Sequence, residues 1–113
     1  MINIEKLNDV LVVSLMNDNK LNSAISQQFK QEVTKIIDQQ GMKVLINLGG
    51  VEYIDSSGFG ALLSVLRACK THDAQLKLCN ISDDVKELVK LLQLHSVFDI
   101  RDSVDDCLKS YKL

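Results

Sequence analysis

Asn47-Leu48-Gly49-Gly50-Val51-Glu52-Tyr53-Ile54-Asp55-Ser56-Ser57-Gly58-Phe59-Gly60 runs from the end of an apolar stretch into a helical pattern. Upstream, Val44, Leu45, Ile46 and Leu48 leave neither face polar, the pattern of a strand buried on both sides near the centre of a sheet. Downstream, Phe59, Leu62, Leu63, Leu66 and Cys69 recur on one helical face, while Gly60, Ser64, Arg67 and Thr71 make a small or polar face able to receive a partner. Between the two, Asp55 and Ser56 suit a helix start, because their side-chain oxygens accept hydrogen bonds from N–H groups that lack an intrahelical partner. With Gly58 and Gly60 close behind, a hydroxyl here has little side-chain bulk around it.

Working outward, Ile2 and Ile4 alternate with polar neighbours as in an edge strand, Leu7-Asn8-Asp9 suits a hairpin turn, and Val10–Leu15 reads as a more buried strand. After the polar loop Asn17-Asp18-Asn19-Lys20, residues Ile25, Phe29, Val33, Ile36 and Ile37 form a helical face, with Asn22 or Ser23 expected as the cap and Gly41 as the terminator. Leu76-Lys77-Leu78-Cys79 is a short strand. Ser82-Asp83-Asp84 opens a third helix with Val85, Leu88, Val89 and Leu92 inward, and its acidic first turn complements the helix dipole. Val97–Ile100 reads as extended, and Ser103 caps a last helix through Val104, Cys107, Leu108 and Tyr111.

Strands separated by helices need crossovers, so those near 10–15, 43–48 and 76–79 are expected to be parallel, with the first strand added antiparallel. The expectation is an α/β fold: one domain over residues 1–113, with a mixed, mostly parallel sheet of four to five strands and about four helices. Loops at the carboxyl ends of parallel strands are the favoured functional edge, and Asp55 and Ser56 fall there.

Composition narrows the function. An apolar content of 46% with 25% charged residues is that of a folded chain. A net charge of −2 with scattered lysines gives no basic field, so no direct nucleic-acid partner is expected. The start, Met1-Ile2-Asn3-Ile4-Glu5-Lys6, lacks a signal-peptide pattern, and no apolar run approaches the roughly 18 residues that span a bilayer, so the chain reads as cytosolic without membrane insertion. Cys69, Cys79 and Cys107 form no Cys-x-x-Cys pair and read as small buried residues. His72, at a helix end beside Asp73, and His95, in a polar loop, lack a second ligand at metal-site spacing. No cofactor is implied. A Gly-x-Ser-x-Gly elbow and a Gly-Lys-Ser/Thr phosphate loop are both missing, which argues against an enzyme. A receiver domain would want an acidic pair where this chain has Met16-Asn17-Asp18.

A phosphate at a helix N-terminus meets free N–H donors and the positive end of the dipole, so a hydroxyl in this loop is suited to accept a phosphoryl group. The stretch Leu48–Leu63 resembles the signature of the STAS domain, specifically the stand-alone anti-sigma factor antagonists of bacteria, and the order and spacing of elements extend the resemblance across nearly the whole chain. The resemblance implies that Ser56 is phosphorylated by a partner that is both anti-sigma factor and serine kinase. It further implies that the unphosphorylated form binds this kinase and frees a sigma factor, and that a phosphoserine phosphatase resets the switch. By the same resemblance Asp55 positions the loop and the kinase-bound nucleotide. Gly58 and Gly60 admit the partner's backbone, and Asn22, Ser57 and Ser64 complete the partner-binding set. The family's Gly-x-Leu-Asp element is here Asn19-Lys20-Leu21-Asn22, which keeps the leucine and loses the charge of the aspartate. A rival within the family is an accessory subunit that docks, unphosphorylated, on the ATPase of a lipid-handling ABC transporter through the same loop and helix.

Overall fold

The computed structural model describes residues 2–16 and 18–111; Met1 and Asn17, which entered the sequence reading, lie outside them. Strands β1 (Ile2–Leu7) and β2 (Val10–Leu15) form an antiparallel hairpin with Leu7 opposite Val10. The two turn residues, Asn8 and Asp9, both have positive φ, 50° and 68°. Asn and Asp tolerate that conformation, and a turn of this hand matches the twist of the strands it joins. The chain continues through β3 (Lys20–Leu21), α1 (Ser26–Ile36), β4 (Lys43–Asn47), β5 (Tyr53–Ile54) and α2 (Ser56–Thr71). It ends with β6 (Gln75–Cys79), α3 (Asp83–Leu91), a 3-10 turn at Leu94–Ser96, β7 (Asp99–Arg101) and α4 (Val104–Ser110).

The main sheet has the order β1-β2-β4-β6-β7, with β1 antiparallel and every other pairing parallel, as the helix-separated strands demand. Strand β4 is central, and Val44, Leu45 and Ile46 are each fully buried. One face of the sheet packs Val13, Val44, Ile46 and Leu78 against Phe29 and Val33 of α1, Leu62 and Val65 of α2, and Val85 and Val89 of α3. The other carries a smaller cluster in which Val10, Val12, Leu45 and Cys79 meet Cys107 and Tyr111 from the α4 end of the chain. All three cysteines are free and buried.

Several local expectations are corrected. Neither Asn22 nor Ser23 caps α1; the N-cap is Ile25, without a side-chain hydrogen bond, because Asn22 folds its own turn first. Its Oδ1 accepts from the Ala24 N–H, and its carbonyl accepts from Ile25 and Ser26. Gly41 does not end α1. The helix stops when Ile37 leaves helical geometry (φ −88°, ψ 79°) with its side chain buried, and Gly41, at φ +77°, makes a later turn whose N–H donates to the His72 carbonyl. On α2 the fully buried positions include Val65, whereas Leu63 and Leu66 are only partly covered. Leu92 is not inward: Gln93 adopts the left-handed conformation, so Leu92 becomes the C-cap of α3 and is 50% exposed.

Candidate functional site

A second, two-stranded sheet builds the site, and the sequence reading did not anticipate it. Strands β3 and β5 pair in parallel, Lys20 with Tyr53 and Leu21 with Ile54. The Glu52 N–H donates to the Asn19 carbonyl at 2.7 Å, and the Asp55 N–H to the Leu21 carbonyl at 3.3 Å. These bonds seat the Asn19–Asn22 segment directly against the start of α2. The available signal was Leu21, one apolar residue in a polar run, which is completely buried.

Asp55 is the N-cap of α2, in extended backbone geometry. Its Oδ1 accepts from the Gly58 N–H at 3.0 Å and from the Ser57 hydroxyl at 2.6 Å, and its Oδ2 accepts from the Ser23 N–H at 3.2 Å. One carboxylate thus holds both the helix end and the neighbouring loop. The Ser57 hydroxyl first, and the Gly58 N–H next, hold the Asp55 carboxyl below the usual carboxylate range. The loop therefore carries a fixed negative charge at neutral pH.

Gly58 also has a task inside the fold. It is buried, and a Cβ there would collide with the Leu21 carbonyl oxygen and come within 2.8 Å of the Ile54 Cγ2. A close backbone approach that requires glycine here is internal, between α2 and β3. Gly60 is the opposite case: a Cβ would meet nothing within 4 Å.

Ser56, the first residue of α2, is exposed. Among the described residues no hydrogen bond engages its hydroxyl, while the hydroxyl of Ser57 is taken by Asp55. Asn22, Asp55, Ser56, Ser57 and Gly58 are brought together at one corner, and Gly60 and Ser64 continue from it along α2, with Ser64 half-buried. Of the histidines, His72 caps the far end of α2, its Nδ1 3.0 Å from the Ala68 carbonyl, and His95 is exposed in the 3-10 turn. Among the described residues no three His, Cys, Asp or Glu side chains gather where a metal could be held, and no helix is long and apolar enough to cross a membrane.

The chain is 25% identical over 109 residues to a Bordetella bronchiseptica protein named as an anti-sigma factor antagonist, BtrV, a match covering 96% of this chain and 92% of that protein. Among solved structures, an anti-sigma factor antagonist (STAS) domain protein from Planctomyces limnophilus superposes with a TM-score of 0.89 at 22% identity, over 96% of each chain. The anti-sigma factor antagonist SpoIIAA in its unphosphorylated form gives a TM-score of 0.68 at 18% identity, covering 94% of this chain and 92% of the other. These two likenesses are of fold. The family model for the STAS domain matches residues 1–107. With that match spanning nearly the whole chain, the protein belongs to the STAS domain family.

Proposed function

We propose that this protein is an anti-sigma factor antagonist controlled by phosphorylation of Ser56. The carrying observation is the division of labour between adjacent hydroxyls: Ser57 is spent on Asp55, while Ser56 stands exposed and unengaged at the first position of α2. The name of the Bordetella relative supports the choice of pathway. In this reading the unmodified loop docks on an anti-sigma factor that is also a serine kinase. Phosphate adds about −1.5 to −2 charge beside the ionised Asp55, and that charge, buried in an interface, drives release. A loss of only about 2.7 kcal/mol weakens binding a hundredfold. Asp55 positions the loop and the nucleotide held by the kinase. Gly60 leaves room for the partner's backbone, and Asn22, Ser57 and Ser64 border the contact. A phosphoserine phosphatase restores the binding form.

Incubation with ATP and the candidate kinase encoded in the same genome, followed by intact-mass measurement, tests the proposal. One phosphate should be added to wild type and to Ser57→Ala and be lost in Ser56→Ala. Unchanged mass with every candidate kinase, together with stable binding to a transporter ATPase, would assign the loop to the accessory-subunit class instead.

A further inference from the structure

The surface of α2 does not end at the phosphoacceptor corner. Leu63, Arg67 and Lys70 follow Ser56 by seven, eleven and fourteen residues, which at about 3.6 residues per turn aligns all four on one stripe of the helix. Beside that stripe, Leu63, Leu66, Arg67 and Lys70 join Val97, from the segment after the 3-10 turn, to line an open groove of about 270 Å³. Its floor is apolar, since Leu63 and Leu66 are only partly covered and Val97 is 44% exposed. Its rim is cationic. Arg67 and Lys70 are exposed, and the ion pairs found among the described residues, Lys77–Asp99 and Arg101–Asp99, involve neither of them. On a chain of net charge −2, a locally cationic apolar groove in line with a docking loop is selective for an oppositely charged occupant.

We infer that this groove receives an acidic, amphipathic segment of the same anti-sigma partner, an apolar side chain seating on Leu63, Leu66 and Val97 while flanking carboxylates meet Arg67 and Lys70. The inference rests on the function proposed above and extends its contact from the Ser56 corner along α2. Arg67 and Lys70 then supply affinity and steering that phosphorylation of Ser56 does not itself alter, so the phosphorylated protein is released while its recognition groove stays intact.

The test is a calorimetric titration of the unphosphorylated protein into the candidate anti-sigma kinase at low and raised salt. Arg67→Glu/Lys70→Glu should bind at least about tenfold more weakly than wild type and lose most of the salt dependence. Lys109→Glu, on α4 across the sheet, should bind as wild type does. Both changed side chains are exposed, so the double variant is expected to keep the wild-type thermal midpoint. Should it not, Arg67→Gln/Lys70→Gln, which removes charge without reversing it, should still weaken binding severalfold. Wild-type affinity in a folded double variant that is still phosphorylated on Ser56 would overturn the groove alone. Absence of binding by wild type to every candidate would overturn the groove and the proposed function together. Sedimentation of the protein by itself adds one more arm: self-association abolished by the double variant would give the groove to a second copy and overturn the inference.

Discussion

Two polar clusters, one against the α4 face of the sheet and one at the head of α2, are built in opposite ways. On the α4 side of the sheet, Lys77 is buried to 8% side-chain exposure; its Nζ donates to the Asp99 Oδ2 at 2.9 Å and lies 4.8 Å from the centre of the Tyr111 ring. The Tyr111 hydroxyl donates to the carbonyl of Val44, in the central strand. Burial pushes the Cys79 thiol up to about 12 and raises Cys107 and Tyr111 above their ordinary values, so these three groups stay protonated at neutral pH. At the head of α2, the Asp55 cluster is equally well bonded but lies at the surface and leaves one hydroxyl over. What separates a closing cluster from a presenting one is that spare, reachable group, not the amount of polarity.

The largest effect should come from the presenting cluster, because its geometry depends on an absent side chain. Gly58→Ala places a methyl group against the Leu21 carbonyl and the Ile54 side chain, and the main-chain oxygen cannot rotate away. Overpacking of this kind costs about 3 kcal/mol, read as a lower midpoint in urea unfolding. A wild-type midpoint would mean that β3 slides easily, and the Asp55 corner would then be far looser than the α4 side.

The closing cluster should respond asymmetrically. Asp99→Ala strands a buried ammonium, but Asp99 is 40% exposed and water reaches the vacated site, so the expected loss is about 1–2 kcal/mol, below that of a fully buried pair. Lys77→Met keeps the packing and leaves Asp99 paired with Arg101, whose Nε lies 2.8 Å away, so its cost should stay under about 0.5 kcal/mol. Equal losses in the two variants, by the same denaturation measurement, would show that the charge of Lys77 stabilises the cluster and does not merely need company.

The two regions also differ in how far the sequence disclosed them. The parallel run of the helix-separated strands, the central place of β4 and the antiparallel β1 follow from hydrophobic periodicity and crossover geometry, and a helix cap at Asp55 or Ser56 follows from their chemistry. The pairing of β3 with β5 does not, because two-residue strands have no period to detect, and with it went the reason for Gly58. Asn22 misled for a related cause. Its side chain bonds two residues ahead, to the Ala24 N–H, a local choice open to any asparagine and decided only once Leu21 was buried. The Lys77–Asp99–Tyr111 cluster left no trace, since it joins residues far apart in the chain whose patterns separately read as strand and helix.

A smaller effect, and one tied to pH, is expected at Ser57. Ser57→Ala removes the leading influence that holds the Asp55 carboxyl down, so its folded value rises toward the ordinary one. A carboxylate depressed in the folded state contributes stability that is fully present above its unfolded value of about 3.9 and is lost as pH falls through the folded value. Wild type should therefore exceed Ser57→Ala slightly at neutral pH, by less than it exceeds Asp99→Ala. The gap should narrow as pH drops below the ordinary carboxylate range, followed by thermal midpoints across that window. A gap that widens in acid would mean the Ser57 hydroxyl bonds something other than the ionised carboxylate.

The smallest structural effect is expected at the residue assigned the largest functional one. Ser56 is exposed, and the cap bond to α2 comes from Asp55, so Ser56→Ala should shift stability by no more than about 0.5 kcal/mol. Binding of the unmodified partner should survive, because no docking charge is lost, while Ser56→Asp should bind more weakly by placing a second carboxylate beside Asp55. The pair of variants isolates charge from shape. If Ser56→Ala bound as poorly as Ser56→Asp, the hydroxyl itself would be a contact, and the corner would work by fit. Wild-type binding by Ser56→Ala with loss in Ser56→Asp leaves repulsion beside the ionised Asp55 as the cause, as the proposed switch requires.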